Sequence, residues 1–234
     1  VYARLSAARL AVSFAHYACA TIEAEPMQIN QETDALLLID VQPDFMSGGA
    51  LAIAGGDAIL PGINTLAHRF DHVLLTQDWH PVGHISFAST HAGGRPYDQI
   101  DAPYGMQTLW PAHCVQHTPG ACLHAALDIA HAELILRKGF RPQIDSYSAF
   151  LENDHATPTG LAGYLRERGL KRLFLAGLAY DFCVRYSAVD GKQLGFETIV
   201  IEDLTRSVGL PGSVESTHAE LAEREIPRIE AATL

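Results

Sequence analysis

Apolar residues along this chain gather into short, nearly unbroken runs separated by stretches rich in glycine, proline and polar residues. Five runs stand out: Ala35–Asp40, His72–Gln77, Glu133–Arg137, Arg172–Ala176 and Phe196–Ile201. Their continuity, rather than an alternation of apolar and polar positions, predicts strands buried on both faces, as in a parallel sheet. Between them the period lengthens. Ile59, Ile63, Leu66 and Phe70 share one face of a helix beginning near Asp57. A short helix is expected over Ala121–Ile129, and another from Thr157-Pro158, burying Leu161, Tyr164 and Leu165 and ending at Gly169. Asp181 is expected to cap a helix running to about Leu194 with Gly195 behind it, and Ser213–Glu225 reads as a last helix. Strands alternating with helices predict an α/β fold, a doubly wound parallel sheet in a three-layer α/β/α arrangement. Gln42–Gly56, Asp78 to about Pro119, and Lys138–Asp154 read as loops, and the length of the second marks it as functional.

The absence of a repeat or linker predicts one domain over residues 27–234. Residues 1–26 read as a separate N-terminal extension. Leu10–Ala20 is apolar, follows Arg4 and Arg9 and ends Ala18-Cys19-Ala20 like a signal peptide, although His16 and Tyr17 dilute it. With Met27 as a start, the extension would be an upstream translation, an expression remnant or an added helix.

Composition narrows the partners. The chain has 234 residues, 48% of them hydrophobic and 18% charged, with a formal net charge of −11. A sizeable core can be buried, and no basic face offers itself to nucleic acid or an anionic membrane. A small neutral molecule is the expected partner, and the oligomeric state, a homo-oligomer included, stays open. Four cysteines, Cys19, Cys114, Cys122 and Cys183, are too few for a disulfide scaffold and read as reduced thiols in a cytoplasm.

The chemistry lies where the runs end. Asp40, Asp78, Lys138 and Cys183 each end or closely follow an apolar run, so a parallel sheet should gather them at its carboxyl edge. There Cys183 can be a nucleophile, Asp40 its base and later an acid, and Lys138 a charge stabiliser. In the first turn of a helix capped by Asp181, Cys183 would be favoured as thiolate, with free N–H groups available to an oxyanion. Each has a plainer role to weigh against this: a packed core cysteine, a loop-capping aspartate, a solvated strand-end lysine. Asp78 and His80 project from the same side of an extended segment, and His113 can add a third ligand. One carboxylate and two imidazoles suit Zn²⁺, Fe²⁺ or Mn²⁺. His84 is a reserve ligand or a supporting residue, and Cys114 is assigned to packing.

Five segments, Asp40-Val-Gln-Pro-Asp-Phe45, Thr76-Gln-Asp-Trp-His-Pro81, Trp110-Pro-Ala-His-Cys114, Lys138-Gly139 and Gly177-Leu-Ala-Tyr-Asp-Phe-Cys-Val184, carry a resemblance. In this order they resemble the nicotinamidase/pyrazinamidase branch of the isochorismatase-like cysteine hydrolases, over Ala35 to Ser207. The resemblance implies a six-stranded parallel sheet and deamidation of nicotinamide to nicotinate and ammonia in NAD salvage. It implies Cys183 as nucleophile, Asp40 as base, Lys138 as third catalytic member, and Asp78, His80 and His113 as ligands of a divalent ion that meets the pyridine nitrogen. It further implies a cis Leu178–Ala179 peptide, an oxyanion site at the Ala179 and Cys183 N–H groups, and ring packing by Phe45, Trp110 and Tyr147. A carbamoyl or ureido amidohydrolase and a non-catalytic metal-binding protein on the same fold are the alternatives.

Overall fold

The structure, a computed structural model, describes residues 27–234; the signal-like segment and the extension read from residues 1–26 lie outside the described residues. Six strands make one parallel sheet: β1 Asp34–Ile39, β2 Val73–Asp78, β5 Leu134–Lys138, β6 Arg172–Leu178, β7 Glu197–Arg206 and β8 Arg228–Ile229. Their order across the sheet is β5-β2-β1-β6-β7-β8. The apolar runs form its middle because both faces are covered. Leu36 and Leu38 of β1 join one buried cluster, while Ala35, Leu37 and Ile39 join the other.

Helix α1 (Leu60–Ala67) packs Leu60, Ile63 and Leu66 on the first face. Helices α2 (Leu161–Glu167), α3 (Arg185–Gln193) and α4 (Ser213–Glu223) cover the second through residues such as Leu165, Ala188 and Leu221. The expected three-layer α/β/α arrangement is therefore present. The sheet grows outward in both directions from β1 and β6, and ligands in such sheets bind in the crevice where the order reverses.

Several expectations need correction. The helix over Ala121–Ile129 does not form; only a 3₁₀ turn spans Pro119–Ala121. Its backbone is drawn to other segments instead: His124 N–H donates to Val41 O (2.9 Å), and Asn64 Nδ2 donates to Ala126 O (2.8 Å) while its Oδ1 accepts the Asp128 N–H (2.9 Å). Thr157-Pro158 does not start α2, which begins after Gly160; Pro158 instead bridges to Leu151. Within the long loop two strands, β3 (Gln99–Ala102) and β4 (Gly105–Thr108), form an antiparallel hairpin. Asp181 does not cap a helix: it sits inside a π turn, Tyr180–Val184, that precedes α3. Its carboxylate accepts the N–H groups of Val208 (2.8 Å) and Gly209 (3.0 Å) and the Ser213 hydroxyl (2.5 Å), tying the turn to the start of α4.

Candidate active site

Beside the β1/β6 crevice, the four strand-end residues converge. Asp40 follows β1 in a left-handed conformation (φ 47°), and Asp78 and Lys138 are register partners at the ends of β2 and β5. Cys183 lies in the turn after β6, and its Sγ and carboxylate oxygens of Asp40 and Asp78 all lie within 4.8 Å of one another. Lys138 is buried at the centre. Its Nζ donates to Asp78 Oδ1 (2.5 Å), Ser146 O (3.0 Å) and Cys183 Sγ (3.3 Å), and pairs with Asp40 Oδ2 at 2.8 Å.

Thr76, one turn of the pleat before Asp78, donates its hydroxyl to Asp40 Oδ1 (2.6 Å) and accepts the Asp40 N–H (3.1 Å). With Oδ1 taken by Thr76, Asp40 Oδ2, facing the ammonium, is the oxygen left to take a proton.

Burial sets the resting charges. Asp40 holds its proton more tightly than an ordinary aspartate because burial outweighs the opposing Lys138 ammonium, with Asp78 adding to the rise. Burial also pushes the Cys183 thiol well up; Lys138 opposes this, and the Asp40 and Asp78 charges add to it. The expected preformed thiolate is thus corrected. A thiol inside a buried turn, facing two carboxylates, keeps its proton until a base takes it. Lys138 is a firm ammonium: burial opposes its charge, but Asp40 and Asp78 overcome that cost. Asp78 stays ionised because Lys138 and His80 overcome the same penalty.

Asp78 turns its other oxygen away from the lysine. Oδ2 lies 3.3 Å from His80 Nε2 and 3.6 Å from His113 Nε2. The far nitrogens meet backbone carbonyls, His80 Nδ1 at Gly139 O (2.9 Å) and His113 Nδ1 at Pro111 O (2.8 Å). A carbonyl oxygen only accepts, so each Nδ1 carries a hydrogen and each Nε2 is the ring nitrogen turned toward the carboxylate. One carboxylate oxygen and two Nε2 atoms facing one another, with the outer nitrogens held, make a ligand set that fits a divalent transition ion. Gly139 is needed here: its φ is 65°, and a Cβ would stand 2.4 Å from His80 Cε1.

His84 falls outside this trio. It groups instead with His80 and Asp145, its Nδ1 2.7 Å from Ser86 Oγ and its Nε2 3.2 Å from Ile144 O. Cys114 is fully buried and packs in the core, as expected.

The trio and the thiol open on a narrow cleft of about 350 Å³, lined by the expected Phe45, Trp110, Tyr147, Ala179 and Cys183. Trp110 stands edge-on to Phe182 (centroids 4.8 Å apart), a wall residue the sequence reading missed along with Leu51, Asp145 and Val208. Tyr147 Oη accepts Trp110 Nε1 (3.1 Å) and Gln107 Nε2 (2.9 Å), which fixes its ring. The Leu178–Ala179 peptide is cis. Ala179 O takes the N–H groups of Phe182 (3.1 Å) and Val184 (3.0 Å), and among the described residues the Ala179 and Cys183 N–H groups donate to no other segment.

An isochorismatase domain is matched over residues 34–226, and the chain belongs to that family. Within it, the chain is similar to a nicotinamidase of Acinetobacter baylyi, at 51% identity over 83% of this chain and 91% of the relative. A solved nicotinamidase/pyrazinamidase from Acinetobacter baumanii superposes with a TM-score of 0.86 at 48% identity, covering 88% of this chain and 99% of that one. A pyrazinamidase from Pyrococcus horikoshii, solved in complex with zinc, superposes at 0.69 with 34% identity over 84% of this chain and 98% of its own.

Proposed function

We infer that this chain is a nicotinamide amidohydrolase that releases nicotinate and ammonia and so serves NAD salvage. The observation that carries the reading is the thiol of Cys183 held beside Asp40 and Lys138 in a cleft that Asp78, His80 and His113 also line. The similarity to nicotinamidases supports the substrate.

The resting pair is thiol and carboxylate. Asp40 takes the Cys183 proton as sulfur bonds to the carboxamide carbon, and the carbonyl electron pair moves onto oxygen, where the Ala179 and Cys183 N–H groups receive it. Asp40 passes the proton to the amide nitrogen, the C–N bond breaks and ammonia leaves a thioester. Water adds to that carbonyl, giving a proton to Asp40. The C–S bond then breaks, sulfur recovers that proton from Asp40, and the acid departs, leaving its carboxyl proton with ammonia or solvent as nicotinate. Lys138 remains an ammonium throughout and holds Asp40 against the thiol.

Asp78, His80 and His113 would hold one Zn²⁺, Fe²⁺ or Mn²⁺ ion, which supplies a Lewis-acidic contact for the pyridine nitrogen. The neighbour solved with zinc supports the ion class. His84 packs against His80, with ring centroids 4.4 Å apart. Phe45, Trp110 and Tyr147 pack the ring and so orient the carboxamide over sulfur. Residues 27–234 would act as one amidase domain, and the free thiols of Cys114, Cys122 and Cys183 suit a cytoplasm.

Anion-exchange detection of nicotinate after incubation with nicotinamide tests the reading. Nicotinate and ammonia in equal amounts are expected. Turnover of a ureido substrate with nicotinamide left intact would move the chain to the alternative amidohydrolase, which has no use for the Asp78–His80–His113 trio.

A further inference from the structure

The ends of β1 and β2 hold each other in a reciprocal arrangement that the chemistry above does not use. Thr76, two residues before Asp78, grips Asp40 through its hydroxyl, donating to Oδ1 (2.6 Å) and accepting the Asp40 N–H (3.1 Å). Gln42, two residues after Asp40, grips Asp78 through its amide. Gln42 Nε2 donates to Asp78 O (2.9 Å) and to Ala121 O (2.9 Å), while Oε1 accepts the Asp78 N–H (2.8 Å). Both Thr76 and Gln42 are fully buried. The ordinary parallel ladder between β1 and β2 runs only from Leu36↔Val73 to Leu38↔Leu75. Beyond it, these two side chains join the two strand ends directly, and Lys138 bridges their carboxylates.

We propose that Thr76 and Gln42 are a crossed pair of positioning residues. Thr76 sets the rotamer of the base Asp40, and Gln42 sets the backbone from which Asp78 reaches the cation site. The proposal rests on the functional reading above.

Thr76 acts only on Asp40. Asp40 sits in a left-handed conformation that a non-glycine residue adopts only when its surroundings hold it there. With Oδ1 and the backbone N–H both committed to Thr76, Oδ2 is held 2.8 Å from the Lys138 ammonium and is the oxygen left to take the thiol proton. Gln42 touches neither the thiol nor Asp40's carboxylate. Its amide mimics a peptide unit and fixes both the N–H and the C=O of Asp78, so that the side chain can place Oδ1 on Lys138 and Oδ2 between the two imidazoles. The two grips therefore predict separable defects, one in the chemical step and one in ion retention.

The test uses the purified full chain loaded with zinc, measuring nicotinamide kinetics, zinc affinity by chelator competition, and Tm. Thr76→Val, which keeps shape but not the hydroxyl, is expected to lower kcat by about 10- to 100-fold while zinc affinity stays within about twofold. Thr76→Ser restores most of the loss. Gln42→Leu is expected to weaken zinc about 10- to 100-fold and to raise KM, with kcat at saturation falling less than zinc affinity. If Thr76→Val does not fold, Thr76→Ala is read in its place, since it removes atoms rather than adding a methyl beside polar groups.

A Thr76→Ser variant as impaired as Thr76→Val overturns the proposal, because bulk rather than the hydroxyl would then matter. Equal loss of kcat and zinc affinity in both variants also overturns it, because a general packing defect would explain both. A wild-type chain that leaves nicotinamide untouched sinks the functional reading alone; the zinc affinities of the two variants still decide the crossed grip.

Discussion

Asp78 and Lys138 are direct register partners across β2 and β5, and the Lys138 ammonium lies 2.5 Å from Asp78 Oδ1. This contact joins the two halves of the site. The same carboxylate that neutralises the lysine offers its second oxygen to His80 and His113, so one strand pairing fixes both the ammonium beside the thiol and the ligand end of the cleft. The lysine in turn is the only cation between two buried carboxylates among the described residues.

Removing that ammonium should therefore cost stability before it costs chemistry. Lys138→Ala leaves Asp40 and Asp78 buried without their shared partner, and breaking a buried pair from one side costs about 3–5 kcal/mol. Urea unfolding at neutral pH measures it. A variant as stable as the parent would mean that the carboxylates are already compensated by other groups.

The pH dependence follows from Asp40. The base works as carboxylate, and burial raises its proton affinity. Activity is therefore lost, as pH falls, at a higher pH than the ordinary aspartate value of about 3.9 would give. The thiol gives a second sign. Burial, with Asp40 and Asp78 adding to it against Lys138, keeps Cys183 protonated at neutral pH. Alkylation of Cys183 by iodoacetamide should then be slow at pH 7 and still climbing above the ordinary thiol value of about 8.5. A plateau reached below neutrality would reveal a stored thiolate and contradict the base-assisted step.

Metal removal should act on binding. Chelation or His80→Ala is expected to raise the KM for nicotinamide more than it lowers kcat at saturation, and benzamide, which lacks the ring nitrogen, should be a poor substrate beside pyrazinamide. Acid should strip the ion as well. Burial opposes a charge on His80, yet Asp78 raises its proton affinity, so protons compete for Nε2 as pH falls. Steady-state kinetics on chelated and reloaded enzyme decide this. Normal nicotinamide binding with a stalled acyl-enzyme would instead give the ion a role in thioester hydrolysis.

Gly139 offers a test of the ligand geometry. Gly139→Ala places a Cβ 2.4 Å from His80 Cε1 on a backbone of φ 65°. It should weaken zinc about 10- to 100-fold by displacing His80, whose Nδ1 pairs with Gly139 O at 2.9 Å. Unchanged zinc affinity would show that His80 can ligate without that carbonyl.

Much of this site was legible because buried parallel strands are written as unbroken apolar runs, so a charge at the end of one, as at Asp40 or Lys138, is conspicuous. The resemblance carried by five short segments supplied the sixth strand, which Arg228–Ile229 is too short to announce by pattern. The β3–β4 hairpin was not legible. Most of its residues are exposed or half-buried, and its anchor is one amide, Gln107, whose Nε2 donates to Asp145 Oδ2 (2.9 Å) and Tyr147 Oη (2.9 Å). The helix expected over Ala121–Ile129 failed for a different reason: bonds to Val41 and Asn64 claim its backbone. Asp181 looked like a cap because the chain turns there; its carboxylate serves the segment before α4 instead.

The central claim is that Cys183 carries the acyl group, and trapping that group tests it most directly. Acid quenching of the enzyme during nicotinamide turnover, followed by peptide mass spectrometry, should find a nicotinoyl thioester on Cys183. Cys183→Ala should form none, should still bind nicotinamide, and should turn over about 10³-fold or more slowly. Substantial nicotinate release by Cys183→Ala would contradict the account and place the attack on water rather than on sulfur.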